Sequence, residues 1–382
     1  MKILIIANGY PNQKDPQWGC FEKDQAVALQ NLGHEVAMLY VDRRFRTYWR
    51  KIGLTRFIDD GIAVFGVFLS PAFGLGKVFP KLYCRWISLM QGIVFKFVLK
   101  HWGKPDIIYA HYLYNIAFAT ELKEKYGIPL VGIEHWSELT NNKLRPLLRF
   151  WGETAYSKAD KILAVSESLR SHIRRHFGQD STVVYDMLGQ EFVWAPVPEH
   201  SPNDNFTFVA VGSLIQRKGY DILIEAFKQS GLSQSGCKVV IVGAGQEHDN
   251  LKSQIQRANL QDSVLLRGRK SKEEIISILA KSHVFIMSSR AETFGVVCIE
   301  ALSQGLPCIA TICGGPEEFV NDSNGLLIPA NDVTAMTTSM KTMYENYSHY
   351  DFAFIAAETR HRFGPQTIAK QLTEIFEETI KR

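Results

Sequence analysis

The chain lacks most of the short signatures that announce a chemistry. No Cys-x-x-Cys pair, His-Glu-x-x-His helix or Asp-x-Asp with metal spacing occurs, so the sequence offers no metal site. No Gly-x-Ser-x-Gly elbow appears, which removes the usual serine-hydrolase reading. The P-loop spacing with its Gly-Lys-Ser/Thr is also missing. The six cysteines (Cys20, Cys84, Cys237, Cys298, Cys308 and Cys313) include several in apolar runs; they read as buried thiols suited to a reducing cytoplasm. No uncharged apolar run reaches the roughly 18 residues of a membrane span. The longest, Gly61 to Gly76, is broken by Pro71 and glycines. "MKILIIANGY" is too short for a signal peptide and reads as a first buried strand. A net charge of +4 is too small to argue for nucleic acid. Acidic residues are absent between Asp60 and Asp106, where Lys77, Lys81, Arg85, Lys96, Lys100 and Lys104 all fall.

What is present is an alternation. At 382 residues the chain suits two domains. Short apolar runs alternate with longer helical patterns, the mark of parallel α/β units. Strands are expected at Lys2–Ala7, Glu35–Val41, Ile62–Leu69, Asp106–His111, Leu130–His135, Ile162–Ser166 and Thr182–Tyr185. "WAPVPEHSPNDN", from Trp194 to Asn205, collects prolines and polar residues and reads as a linker. A second series follows at Phe206–Val211, Lys238–Val242, Val264–Leu266, Val284–Met287, Pro307–Ala310 and Gly325–Ile328. The expected division is 1–195 and 196–365, with an amphipathic helix over 366–382 returning to the first domain. In open parallel sheets ligands gather beyond the carboxyl ends of the strands, so two such domains would hold substrates in a cleft between them.

Candidate chemistry lies at those strand ends. Glu292 and Glu300 flank a Thr-Phe-Gly turn in "SSRAETFGVVCIEAL". A helix is expected to begin near Phe294–Gly295 with Thr293 as its cap, leaving Glu292 before it and Glu300 inside it. The free amides of such a helix start favour an anion, and Gly295 would let one approach. The plainer reading is two ordinary glutamates. In "VGSLIQRKGYDILIEAF", Arg217 and Lys218 precede Gly219 at a strand's carboxyl end, where fixed positive charge would offset a diphosphate; a solvated basic turn is the alternative. "IVGAGQEHDNL" holds Gly243 and Gly245, but His248 stands where a dinucleotide fingerprint wants its third glycine, which disfavours a nicotinamide oxidoreductase. Gly9 and Gly19 follow the first strand. His111 and His135 each end a strand and would face the same cleft; either could equally be a structural hydrogen-bonding group. Asp59–Asp60 reads as a turn.

From Phe79 to Lys100 the residues Leu82, Trp86, Leu89, Met90, Ile93 and Phe97 recur at helical spacing, with Lys81, Arg85, Lys96 and Lys100 within roughly 100° of arc beside them. The segment reads either as a helix able to rest on anionic lipid or as a first-domain helix with its lysines in water.

Taken together and in this order, "VGSLIQRKG", "IVGAGQEHDNL", "LLRGRKSKEEI", "SSRAETFGVVCIEALSQGLPCIAT", "GGPEEFV" and "NGLLIP" resemble the large retaining glycosyltransferase family four, of GT-B fold. First-half matches are "YP…GCF…QAVALQNLGHEV", "IEHWSEL" and "ADKILAVSESL". The resemblance implies two Rossmann-like domains, the first on the acceptor side and the second binding a nucleotide sugar, with no cofactor and no metal. It implies that Glu300 holds the donor ribose, that Glu292 contacts the transferred sugar, and that the amides of Phe294, Gly295 and Val296 line sugar and phosphate. Lys218 matches the diphosphate lysine, with Arg217 beside it; His135 matches a histidine near the reacting sugar; Gly19 matches a glycine loop facing donor and acceptor; Arg269 marks where backbone meets the base. Two departures stand out: Ser213 where the family often has arginine, and Tyr185–Asp186 where it usually has Pro-Asn.

The activity implied is retaining transfer of a hexose from a UDP- or GDP-sugar to a glycan or lipid-linked acceptor. The setting would be cell-surface polysaccharide synthesis, in the cytoplasm or on the inner membrane face. A sugar-nucleotide-binding subunit without catalysis, or an epimerase-like or phosphorylase-like relative, would share the fold.

Overall fold

The computed structural model describes residues 1–42, 52–69, 79–198 and 205–381. They form two compact units, Met1–Tyr185 with Pro365–Arg382, and Asp186–Gly364.

The first unit is built on a sheet ordered β3-β4-β2-β1-β5-β6-β7-β8. Its strands are β1 (Lys2–Ala7), β2 (Glu35–Asp42), β3 (Gly53–Asp59), β4 (Ile62–Phe68), β5 (Ile107–His111), β6 (Leu130–Glu134), β7 (Lys161–Ala164) and β8 (Thr182–Val183). All pairings are parallel except β3 with β4. Ile3 to Ala7 and Ile107 to Ala110 are buried without interruption, as befits strands covered on both faces. The helices are α1 (Cys20–Asn31), α2 (Pro80–His101), α3 (Leu113–Tyr126), α4 (Pro146–Lys158) and α5 (Glu167–Phe177). Ser166 caps α5 by accepting from the Leu169 amide at 3.0 Å.

β3 was absent from the strands expected from sequence. It pairs antiparallel with β4 across Asp60–Gly61, both at positive φ (50° and 77°). An Asp-Gly pair between two apolar runs is the hairpin signal that marks it.

The second unit carries a wholly parallel sheet ordered β11-β10-β9-β12-β13-β14. These strands are β9 (Thr207–Val211), β10 (Lys238–Val242), β11 (Val264–Leu266), β12 (Val284–Met287), β13 (Cys308–Ile312) and β14 (Gly325–Pro329). The helices are α6 (Gln190–Trp194), α7 (Tyr220–Ser230), α8 (His248–Arg257), α9 (Lys272–Leu279), α10 (Val296–Leu302), α11 (Val333–Asn346) and α12 (Phe352–Phe363). Phe208, Leu223, Phe227, Ile241, Val284, Ile309 and Met340 form the centre of its core.

The division falls at Tyr185/Asp186, not at the expected residue 195. Residues 186–195 are bonded into the second unit. The Leu188 amide donates to Phe363 at 2.9 Å, Gln304 donates to the Phe192 carbonyl at 3.0 Å, and Arg360 donates to the Ala195 carbonyl at 2.6 Å. Of the expected linker Trp194–Asn205, residues 199–204 lie outside the described residues. The final helix, α13 (Pro365–Ile380), belongs to the first unit. It packs beside α1, with the Phe376 ring 5.0 Å from Tyr109 and Thr373 bonded to His34 at 2.9 Å.

The core face of α2 is not the stripe read from sequence. Cys84, Ile87, Gln91, Val94, Phe95 and Val98 are buried, whereas Leu82, Leu89 and Ile93 are exposed. Both stripes have helical spacing, and only the position of the sheet decides between them. Among the described residues, Lys81–His101 is the one helix long and apolar enough, by length and composition, to cross a membrane.

Candidate functional site

In the second unit the candidate residues gather where β9, β12 and β13 end. The chain leaves β9 through Gly212 and makes a tight turn over Gln216–Lys218 before α7. Gly219 closes that turn at φ 65°, and a Cβ there would lie 2.0 Å from the Ser288 carbonyl oxygen. Only glycine satisfies both conditions. The Ser288 hydroxyl donates to the Lys218 carbonyl at 2.9 Å, and the Arg290 amide donates to the Arg217 carbonyl at 2.7 Å. The turn carrying Arg217 and Lys218 is thereby locked to the loop leaving β12.

That loop carries Glu292, which is buried. Its Oε1 accepts from Lys218 Nζ at 2.5 Å and from the Ser289 hydroxyl at 2.6 Å. Its amide donates to the Cys313 carbonyl at 2.9 Å, beyond β13. Three strand ends therefore fix one carboxylate–ammonium pair. Burial, and then Glu292 nearby, raises the pKa of the Tyr220 hydroxyl, keeping it protonated beside the pair. Cys313 is pushed up to about 12, mainly by burial, so its thiol stays protonated as well.

Phe294 is buried between the rings of Phe319 and Phe363, at 5.2 Å and 5.7 Å. Its side chain is core, so only its backbone can serve a ligand. The helix starts at Val296 with Gly295 as its cap at φ 103°; the expected cap, Thr293, lies two residues earlier. Met287 lies 3.1 Å from where a Gly295 Cβ would stand. Glu300 is the fifth residue of α10 and half-buried. Arg269 is exposed in the loop after β11, two strands along the sheet from β9. The structure thus pairs Lys218 with Glu292, with Arg217 beside Lys218 on the same turn, Glu300 on the next helix and Arg269 beyond the sheet-edge strand β11. Gly243 and Gly245 have a packing cause: a Cβ would come within 1.8 Å of the Gly212 carbonyl oxygen and 2.3 Å of the Leu214 one, respectively.

Arg290 escaped the sequence reading. It grips Asp221 through two bonds of 2.9 Å and 2.7 Å, bracing the same two loops. Nothing in its sequence context distinguishes it from a surface arginine.

In the first unit a second cluster sits at the ends of β1, β5 and β6. His111 Nδ1 lies 3.2 Å from His135 Nε2, and the rings stack with centroids 5.2 Å apart and planes 3° from parallel. His111 is buried and its Nε2 has no partner; burial, then His135, holds its pKa well below the ordinary value. Glu134, fully buried, accepts from the amides of His135 and Trp136 at 2.9 Å each and from the Tyr156 hydroxyl at 2.8 Å. Burial raises its pKa against those bonds. It fixes the backbone that presents His135, a role that "GIEHW" does not reveal. Gly19 caps α1 at φ 79°, and a Cβ there would lie 2.4 Å from the Gly9 carbonyl oxygen. Asn115 donates to the Asn8 side chain at 3.1 Å and to the His111 carbonyl at 2.9 Å, joining the ends of β1 and β5.

Among the described residues, no group of three or more His, Cys, Asp or Glu is placed to hold a metal ion.

The family model for Glycosyltransferase Family 4 matches residues 23–186, and that for Glycosyl transferases group 1 matches residues 196–369. The chain belongs to glycosyltransferase family four. It is a glycosyltransferase of GT-B fold. A putative teichuronic acid biosynthesis glycosyltransferase, TuaC of Bacillus subtilis, is 26% identical over 366 residues, 91% of this chain and 90% of the relative. An uncharacterized glycosyltransferase of Methanocaldococcus jannaschii is 28% identical over 243 residues, 63% of this chain and 66% of the relative. Among solved structures, Anabaena Alr3699/HepE in complex with UDP superposes with a TM-score of 0.74 at 20% identity, covering 99% of this chain and all of that one.

Proposed function

We propose that this glycosyltransferase moves a hexose from a UDP- or GDP-sugar to a glycan or lipid-linked acceptor, with retention at the anomeric carbon and without a metal ion. The observation that carries the reading is the Lys218–Glu292 pair, held by three strand ends. An ammonium group fixed there offsets the charge that grows on a departing nucleoside diphosphate. Arg217, on the same turn, adds a second cation beside it.

Each further residue has a part in this reading. Glu292, released from Lys218 by the incoming diphosphate, accepts from hydroxyls of the transferred sugar. Glu300 holds the ribose. The backbone of Phe294, Gly295 and Val296 lines the sugar and phosphate, and the loop at Arg269, two strands along the sheet from β9, meets the base. In the first unit His135 and the Gly19 loop serve the reacting sugar and the acceptor. No carboxylate is assigned as a nucleophile, so the leaving phosphate helps to deprotonate the acceptor hydroxyl on the same face of the sugar.

TuaC supports a setting in cell-surface polysaccharide synthesis, and HepE with UDP supports a uridine donor. We place the enzyme in the cytoplasm, working at the inner face of the membrane. The test is a thermal-shift screen with UDP- and GDP-sugars, followed by donor hydrolysis and transfer assays with and without EDTA. A donor that raises the melting point, and turnover unchanged by EDTA, is the expected result. A chelator that abolishes turnover, or a trapped covalent glycosyl–enzyme adduct, overturns the mechanism.

A further inference from the structure

Helix α2 runs for 22 residues and has two apolar stripes. One is spent on the sheet: Cys84, Ile87, Val94, Phe95 and Val98 are buried, with Ser88 and Gln91 among them. The other faces outward. Leu82 and Leu89 are 61% and 60% exposed, Ile93 is 40% exposed, and Phe79, just before the helix, is 57% exposed. Lys81, Arg85, Lys96 and Lys100 are exposed as well. At 100° per residue, Leu82, Arg85, Leu89, Ile93, Lys96 and Lys100 fall within roughly 80° of arc, a single ridge of alternating apolar and cationic groups. The patch continues onto α4, where Lys81 Nζ lies 5.6 Å above the ring of Phe150, itself exposed. No Asp or Glu occurs between Asp60 and Asp106 to neutralise it.

A lone exposed leucine needs no explanation, but three large aliphatic groups on one ridge with three cations and no acid do. We propose that this outward ridge of α2, with Phe79 and Phe150 at one end, is a docking surface for an anionic lipid bilayer, with the helix lying flat in the headgroup region. The apolar groups enter the acyl boundary, and the amine and guanidinium groups stay at phosphate depth by extending along their stems. A second copy of this chain is the poorer occupant: a two-fold contact would set lysines against lysines. Spanning the membrane is also disfavoured, although the helix is long enough. Ridge cations spaced along its length would have to enter hydrocarbon, and Ile87, Val94, Phe95 and Val98 would have to leave the sheet they cover.

The surface rests on α2 and its neighbour α4 and does not depend on the donor chemistry. The test is co-sedimentation of the full chain with large unilamellar vesicles of phosphatidylcholine, with and without 30 mol% phosphatidylglycerol. Binding should require the anionic lipid and be released by high salt. Each surface cation is worth on the order of a five-fold change in partitioning. Lys96→Glu with Lys100→Glu should therefore weaken binding by at least about ten-fold. Leu82→Ser with Leu89→Ser should weaken it at every salt concentration. All four positions face solvent, so melting temperature and donor hydrolysis in detergent-free buffer should match the parent. Binding indifferent to lipid charge, variants that bind like the parent, vesicle attachment that survives alkaline carbonate, or a dimer broken by the same substitutions in place of vesicle binding would each overturn the proposal.

Discussion

The ammonium group of Lys218 and the carboxylate of Glu292 lie 2.5 Å apart although 74 residues separate them in sequence. Both side chains are largely buried, at 16% and 8% exposure. Removing one partner of such a pair strands the other, at a cost on the order of 3 kcal/mol. Lys218→Ala should therefore lower the melting temperature as well as turnover. Lys218→Met combined with Glu292→Gln strands no charge and should restore most of the stability while leaving transfer undetectable. Thermal denaturation and a transfer assay on the same three proteins separate the two effects.

Gly219 sets where Lys218 stands. Gly219→Ala forces an alanine into the left-handed region, at about 1–2 kcal/mol, and drives its Cβ against the Ser288 carbonyl. Relief requires the Lys218 turn to part from the β12 loop. Stability and UDP affinity should fall together, measured by calorimetric melting and titration. Parental affinity would show that the turn tolerates displacement.

Glu300 is expected to act on the donor and not on the chemical step. Loss of a charged hydrogen-bond acceptor costs about 1.5–3 kcal/mol, so Glu300→Ala should weaken UDP binding by roughly ten- to a hundred-fold. Turnover at saturating donor should stay within a few-fold of the parent. A turnover defect with unchanged UDP affinity would remove Glu300 from the ribose.

His111 gives the first unit a pH dependence. Buried and facing His135, it takes up a proton only well below pH 6.5 when folded. The unfolded chain takes it up near 6.5, so below that pH the unfolded state binds more protons and stability falls as pH falls. The slope from this group is at most about 1.4 kcal/mol per pH unit. His111→Gln should flatten the decline in melting temperature between pH 6.5 and 5. Identical slopes in both proteins would show that His111 is not the source. Glu134, raised by burial, contributes with the opposite sign above its ordinary value of 4.5, in both proteins alike.

The alternation of strands and helices was readable because parallel strands are covered on both faces and so appear as unbroken apolar runs. What escaped depended on distance along the chain. The antiparallel β3 was missed because half its residues face outward, giving "GLTRFID" no clean run. The sequence left two readings of the Leu82–Leu89–Ile93 stripe of α2 open, because a second stripe, Cys84–Ile87–Val94–Val98, satisfies the same period and only the sheet's position shows which one is buried. In the candidate site, Lys218 and Glu292 were each recognisable from local context, but their contact was not, since it depends on β9 and β12 being neighbours in the sheet. The same holds for His111 and His135 at the ends of the adjacent strands β5 and β6. Arg290 and Glu134 act only through bonds to their surroundings, and no short motif records that.

The first unit is interrupted. Its last helix, Pro365–Ile380, is separated from the rest by all of Asp186–Gly364. During synthesis α1 and Tyr109 must therefore wait, with the surface meant for Phe376 uncovered, until the ribosome has passed the whole intervening segment. The unit encoded later can close before the one encoded first, and a stop codon near residue 364 would leave the nascent protein with an apolar scar on the half that was already made.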